Sequence, residues 1–283
     1  MRDDEITTDY ERIIMVELFT EEIRDDGRQS SKGNQLKFVR DNIWYKADYL
    51  GYEGLVEYTV SKLLGFSDLD KTEYVDYDLE QISYNGNVYN GCRSKDFTDG
   101  WNLITLERLF KNVYGMGLNK VIYSVQDHED RLKILVEQVE RTTGLSDFGI
   151  YMNKMLTIDS IFLNEDRHTH NIAVLTNDKN EFRLAPIFDN GAGLMSDTMM
   201  DFPMTQDAIH SIDKVKSKTF CDDFAEQTDI AEKLYGEQIH FSFGYNDVKA
   251  IVDRCEIYDE AVRERVIELV MQMRRRYEYL FKF

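Results

Sequence analysis

The sequence predicts an α+β chain, β-rich over roughly its first hundred residues and helical over the remainder. Three observations carry this reading: short apolar runs parted by polar turns in the early chain, an Asn85-Gly86 pair between two such runs, and apolar residues at three- and four-residue steps in the later segments.

Residues 10–19 hold Ile13, Ile14, Val16, Leu18 and Phe19. They fit a strand and a short helix equally well, because brief apolar runs do not separate the two. A polar stretch follows at residues 25–34, with Gly27, Ser30, Ser31, Gly33 and Asn34. Leu36-Lys37-Phe38-Val39 and Ile43-Trp44-Tyr45-Lys46-Ala47 then read as strands about an Asp41-Asn42 turn. Residues 53–64 place Leu55, Val56, Val60, Leu63 and Leu64 at helical spacing, with Gly65 suited to end the helix. Residues 74–97 are rich in Tyr and Val, and Asn85-Gly86 supplies the two positive-φ positions of a tight hairpin turn. Residues 101–114, 127–142 and 145–163 read as helices, the last aligning Phe148, Met152, Met155, Leu156, Asp159 and Phe162. Residues 163–191 read as loop, strand, turn, strand, loop. An apolar stripe from Ile257 to Leu280 gives the chain a long final helix, and no internal repeat is seen.

A length of 283 residues suits either one large domain or two lobes sharing a cleft. With 42% hydrophobic residues and only 2 Pro, a packed core is expected and disorder is excluded as the main theme. The net charge of −19 would repel a phosphate backbone or an anionic membrane, so no direct nucleic-acid binding and no membrane association are expected. Cys92, Cys221 and Cys255 are widely spaced and odd in number, as reduced thiols would be. The acidic start, Met1-Arg2-Asp3-Asp4-Glu5, is unlike a signal peptide, and no apolar run reaches the length of a membrane span. A cytoplasmic location is expected.

The chemistry concentrates in Asn164-Glu165-Asp166-Arg167-His168-Thr169-His170-Asn171 and in Ala185-Pro186-Ile187-Phe188-Asp189-Asn190-Gly191. An antiparallel hairpin brings its outer ends together, so Asn171, entering the first strand, should face Asp189, just past the second. Asp166 stands five residues before Asn171, at the same end. A carboxylate and an amide suit a hard Mg²⁺ ion, and a separate Asp suits the orientation and deprotonation of an attacking hydroxyl, which are the needs of phosphoryl transfer. A lone Asp-Arg-His is better read as a solvated turn; its conjunction with the second segment favours chemistry.

Those residues resemble the catalytic and metal-binding segments of the HipA-like serine/threonine kinases. The Asp166-Arg167-His168-x-x-Asn171 core is also similar to that of phosphatidylinositol 3- and 4-kinases. The resemblance implies a two-lobed protein-kinase-like fold, with residues 1–97 as a β-rich N-lobe and 98–283 as a helical C-lobe. It further implies ATP and Mg²⁺ as cofactors, Asp166 and His168 as catalytic residues, and Asn171 and Asp189 as metal ligands. Lys46 would meet the ATP phosphates, held by Glu57 on the following helix, with Glu53 as the competing partner. Ser30, Ser31, Lys32 and Gly33 fit a phosphate-covering loop as well as a plain polar turn. In the family such a loop can carry a serine that is autophosphorylated and then expelled. The adenine-binding hinge would fall at residues 92–97, including Ser94 and Phe97, although Phe97 fits ordinary core equally well. Partners implied are a protein substrate and an antitoxin or other regulatory protein, as in a toxin–antitoxin system; so short a segment before Lys46 fits a minimal kinase with its regulatory part on another chain. The competing functions are a lipid or small-molecule kinase and a pseudokinase binding module. His168 and His170 lack the Glu or Cys companion of a zinc site, His210 and His240 have no ligand-spaced neighbours, and Arg274-Arg275-Arg276 reads as a solvated basic face or a contact for an acidic patch.

Overall fold

A computed structural model describes residues 15–24 and 35–282. The early chain builds a five-stranded sheet from β1 (Met15–Glu17), β2 (Lys37–Arg40), β3 (Ile43–Ala47), β4 (Asp78–Tyr84) and β5 (Asn87–Lys95), in the order β1-β4-β5-β3-β2. All neighbours are antiparallel except β1 and β4. Both tight hairpins turn as the sequence predicts: Asp41 and Asn42 have φ of 51° and 61°, and Asn85 and Gly86 have 49° and 78°. Two successive positive-φ residues match the right-handed twist of the flanking strands. The ambiguous first segment contributes a short strand.

Helix α1 (Glu53–Leu64) lies between β3 and β4 in sequence and crosses β5. Two glycines permit the close approach. A Cβ on Gly54 would stand 2.5 Å from the carbonyl carbon of Gly91, and one on Gly91 would stand 2.1 Å from the carbonyl oxygen of Lys46. Glu57, nearly one turn beyond Gly54, is thereby laid over the strand that carries Lys46.

The second half adds a three-stranded sheet, β6 (Asn102–Thr105), β7 (Ala173–Thr176) and β8 (Phe182–Leu184), with β7 central. Around it lie α2 (Leu106–Tyr114), α3 (Leu118–Ile122), α4 (His128–Thr143), α5 (Phe148–Ile161), α6 (Phe224–Tyr235), α7 (Tyr245–Val252) and α8 (Glu260–Arg276). One expectation is corrected here, because residues 102–105 form a strand rather than the start of a helix. Leu103 and Ile104 pair with Leu175 and Val174, and the Thr105 hydroxyl accepts the Arg108 amide at 3.3 Å to begin α2. The apolar spacing matched a helical period, but strand pairing decided the local structure. Among the described residues no helix is long and apolar enough to cross a membrane.

Among the described residues three apolar clusters hold these parts. Leu18, Phe38, Tyr45, Ala47 and Ile82 form one with the five-stranded sheet. A large one joins Leu55, Val56, Val60 and Leu63 of α1 to the helical half, including Val266, Leu269 and Met273 of α8. The third bridges the two sheets through Val75, Tyr77, Cys92, Ala173, Leu175, Ala185 and Phe188. Polar contacts also tie the five-stranded sheet to the loop before α8: the Asn90 amide donates to the Ile257 carbonyl at 2.8 Å, and the Tyr258 hydroxyl donates to Asp48 at 2.8 Å.

Asp48 also accepts the Gly54 amide at 2.6 Å. Burial, and next the Glu53 carboxylate, push the Asp48 carboxyl up to about 8, against the two hydrogen bonds that favour its charged form. The folded chain then holds a proton that the unfolded chain, with a carboxyl near 3.8, releases. Stability should therefore fall as pH rises from about 4 to about 8. Asp48→Asn should flatten that slope and exceed the parent in stability near pH 8. Urea midpoints across the range would show this, and parallel slopes in the two proteins would remove the assignment.

Candidate active site

The centre of the site is a buried ammonium between two carboxylates. Lys46 on β3 places Nζ 2.5 Å from Glu57 Oε1 and 2.7 Å from Asp189 Oδ1, with the Tyr77 hydroxyl at 3.4 Å. Burial pulls the ammonium toward neutrality, but Asp189 and then Glu57 more than offset it and hold the Lys46 pKa well above its usual value. Lys46 is thus a fixed positive charge. Glu57 uses its other oxygen to accept the Asn190 amide at 2.9 Å, so one carboxylate ties the lysine to the backbone that follows Asp189. Glu53, the competing partner, is engaged elsewhere: it accepts the amides of Leu50 at 2.7 Å and of Tyr49 and Gly51 at 3.2 Å.

The second part is the loop from Asn164 to Asn171. The Asn171 amide nitrogen donates to the Asp166 carbonyl at 2.8 Å and to Asp166 Oδ2 at 3.0 Å. That orientation leaves the Asn171 amide oxygen as the atom to offer a cation. His168 Nε2 lies 3.6 Å from Asp166 Oδ1, longer than a hydrogen bond, and His168 Nδ1 is buried without a partner. Burial lowers the His168 pKa despite the neighbouring Asp166, so the ring is neutral near pH 7. Its edge meets the His170 ring at a centroid distance of 5.3 Å.

Arg167 joins the two parts. Its guanidinium donates to the Phe188 carbonyl at 2.7 Å, the Asn190 side-chain oxygen at 2.8 Å and the Asn171 carbonyl at 3.3 Å. Asp189 is therefore held through both sequence neighbours. This matters because Asp189 has φ of 63°, a left-handed conformation that costs a non-glycine residue about 1–2 kcal/mol. On its far side Arg167 makes a fully buried pair with Asp159 of α5, Nε to Oδ2 at 3.0 Å and Nη2 to Oδ1 at 3.0 Å. Asn164 adds a donor to Asp159 at 2.8 Å, and the Thr219 hydroxyl donates to the Arg167 carbonyl at 2.6 Å.

The remaining expected residues divide. Ser94 is buried on β5 opposite Trp44. Phe97, just past that strand, packs on Phe188 at a centroid distance of 5.2 Å, which puts it behind the Asp189 segment. Ser30, Ser31, Lys32 and Gly33 lie outside the described residues. Sequence reasoning gave Arg167, Asp159 and Asn190 no role. One signal was present: Asp159 interrupts the apolar stripe of α5, and a charge on a buried stripe needs a partner.

The donors fit the expected cofactors. Oxygen ligands from Asn171 and Asp189 suit Mg²⁺, and Lys46 suits a phosphate. No family model and no curated protein matches the sequence. Among solved structures, the chain is similar to a proinflammatory kinase of Helicobacter pylori, CtkA, with a TM-score of 0.61 at 15% identity over 93% of this chain and 95% of that one. The likeness establishes a kinase-like α+β fold.

Because Asp159 is fully buried, Arg167→Met should leave an uncompensated charge and destabilise the chain by about 3–5 kcal/mol. The double variant Arg167→Met/Asp159→Leu should recover part of that loss. Denaturant unfolding of the three proteins measures it; a double variant no more stable than the single would mean that the other Arg167 contacts dominate.

Proposed function

We propose that this chain is an ATP- and Mg²⁺-dependent protein serine/threonine kinase of HipA-like type. The observation that carries the reading is the clamp on Lys46 by Glu57 and Asp189, set beside the Asp166–Asn171 loop by Arg167. The similarity to a solved kinase over nearly the whole chain supports it.

In this reading Lys46 would meet the nucleotide phosphates, and Asn171 and Asp189 would hold Mg²⁺. The metal, when bound, neutralises charge on the transferring phosphoryl group. Asp166 aligns the acceptor hydroxyl and takes its proton as the oxygen attacks the γ-phosphorus, the bond to the β-phosphate breaks and ADP leaves. Its hydrogen bond from Asn171 fixes its orientation before substrate arrives. His168, neutral and beside Asp166, contributes no competing charge and has an unpartnered Nδ1 to offer. Ser30 to Gly33 would cover the phosphates. A phosphate added to Ser30 or Ser31 would set like charge against the nucleotide and switch the enzyme off. The acceptor is a protein hydroxyl rather than a lipid, since a net charge of −19 opposes an anionic membrane. Control by a separate antitoxin-like protein belongs to the same proposal.

The two acidic positions should separate in kinetics. Asp166→Asn should cut phosphoryl transfer at least about 100-fold while nucleotide affinity stays within about threefold, because an acceptor-orienting group acts chiefly in the transition state. Asp189→Asn should lose both turnover and MgATP affinity. Labelled ATP with cell lysate reads the first quantity and calorimetry the second. Label transfer unaffected by either change would reject the kinase reading.

A further inference from the structure

We propose that His128, Cys221 and Glu226 form a second metal site, separate from the Mg²⁺ ligands and suited to zinc. A ring nitrogen of His128, Cys221 Sγ and a Glu226 carboxylate oxygen all lie within 4.8 Å of one another. Nitrogen, thiolate and carboxylate are the usual zinc ligands, whereas Mg²⁺ takes oxygen alone. The two sites therefore differ in the metal that each prefers.

The backbone that presents these ligands is fixed without a metal. His128 opens α4 and Glu226 lies in the first turn of α6. Each helix has its own aspartate cap: Asp127 accepts the Asp130 amide at 2.9 Å, and Asp223 accepts the Glu226 amide at 2.9 Å. Arg131 of α4 donates to the Phe220 carbonyl at 2.9 Å and so pins the residue before Cys221 to the same helix. Of the nearby acidic groups, Asp222 is engaged by Lys216 at 2.7 Å, which leaves Glu226 as the carboxylate of the set.

Small movements would complete the site. Tetrahedral zinc with bonds of about 2.0–2.3 Å needs ligand atoms about 3.5 Å apart. His128 and Glu226 now touch at 2.7 Å and would open slightly. Cys221 is buried, its thiol spends its hydrogen on the Asp223 carbonyl at 3.3 Å, and it would swing toward them. Binding forms a zinc–sulfur bond, breaks the S–H bond and releases the proton to solvent, with no change of oxidation state. The half-exposed His128 and Glu226 give the ion an entry and leave its fourth position to water. The site also reaches the catalytic loop, because Thr219, two residues before Cys221, donates to the Arg167 carbonyl. A metal there would stiffen the segment that supports Arg167.

The test uses the full chain, stripped with chelator and titrated with Co²⁺ as a spectroscopic stand-in for zinc. One equivalent should develop a thiolate-to-cobalt charge-transfer band that zinc displaces. The Asn171–Asp189 oxygen ligands cannot produce such a band, so the result is independent of the kinase reading. Cys221→Ser should abolish the band and weaken zinc binding at least about 100-fold, and the half-exposed Glu226→Gln, which spares the core, should weaken it about tenfold. Cys255→Ser and Cys92→Ser should change neither. No band in the parent chain, or a band that survives Cys221→Ser, would overturn the proposal, and His128 and Glu226 would then be a plain hydrogen-bonded pair.

Discussion

Burying the Arg167 guanidinium and the Asp159 carboxylate removes two full charges from water, a cost that only close pairing and full hydrogen bonding can offset. The pair meets that condition: the guanidinium reaches Asp159, Asn190, and the carbonyls of Phe188 and Asn171, and Asp159 also receives Asn164. Each of these partners belongs to the site or adjoins it. A hydrophobic substitute of similar volume would fill the space, but it would release the carbonyls at 171 and 188 that set the two chemical segments side by side. The ion pair is better understood as a device for geometry than as a source of stability.

The same logic extends outward to Lys46. Its ammonium is held by one carboxylate from α1 and one from the segment after β8, so the five-stranded sheet and the helical half meet at a charge. Gly54 and Gly91 allow α1 to settle low enough on β5 for Glu57 to reach. Glu57 then passes the constraint on to Asn190, which Arg167 grips from the opposite direction. A continuous chain of polar contacts runs from Lys46 through Glu57, Asn190 and Arg167 to Asn171 and Asp166.

Much of this was legible in the chain because local rules and tertiary contacts agreed. Asn85-Gly86 dictated its hairpin, residues 53–64 carried both a helical stripe and a stop, and the choice of Glu57 over Glu53 followed once the helix was laid on its sheet. Agreement failed at residues 102–105, where a helical spacing of Leu103, Ile104, Leu106 and Leu109 concealed a strand whose partner, β7, is about seventy residues away. Helices α6 and α7 were not anticipated. Asp159 and Arg167 were visible as letters but not as partners, since burial is what makes their pairing compulsory and a sequence does not display burial. The His128–Glu226 contact spans 98 residues, and no short-range spacing reports it.

The charge of the cleft bears on what it can admit. Two carboxylates, Glu57 and Asp189, stand against one ammonium, Lys46, while Arg167 and Asp159 pair with each other. A polyanion entering alone would meet more negative than positive charge in surroundings where burial weakens solvent screening. The net charge of −19 on the whole chain adds to that barrier at long range. In the proposed reading the barrier would fall if the anion arrived with divalent cations, because the carboxylate and amide oxygens would then attract it while Lys46 faced the phosphates. Under the proposed kinase reading, the carboxylates would favour a metal–nucleotide complex over the bare nucleotide.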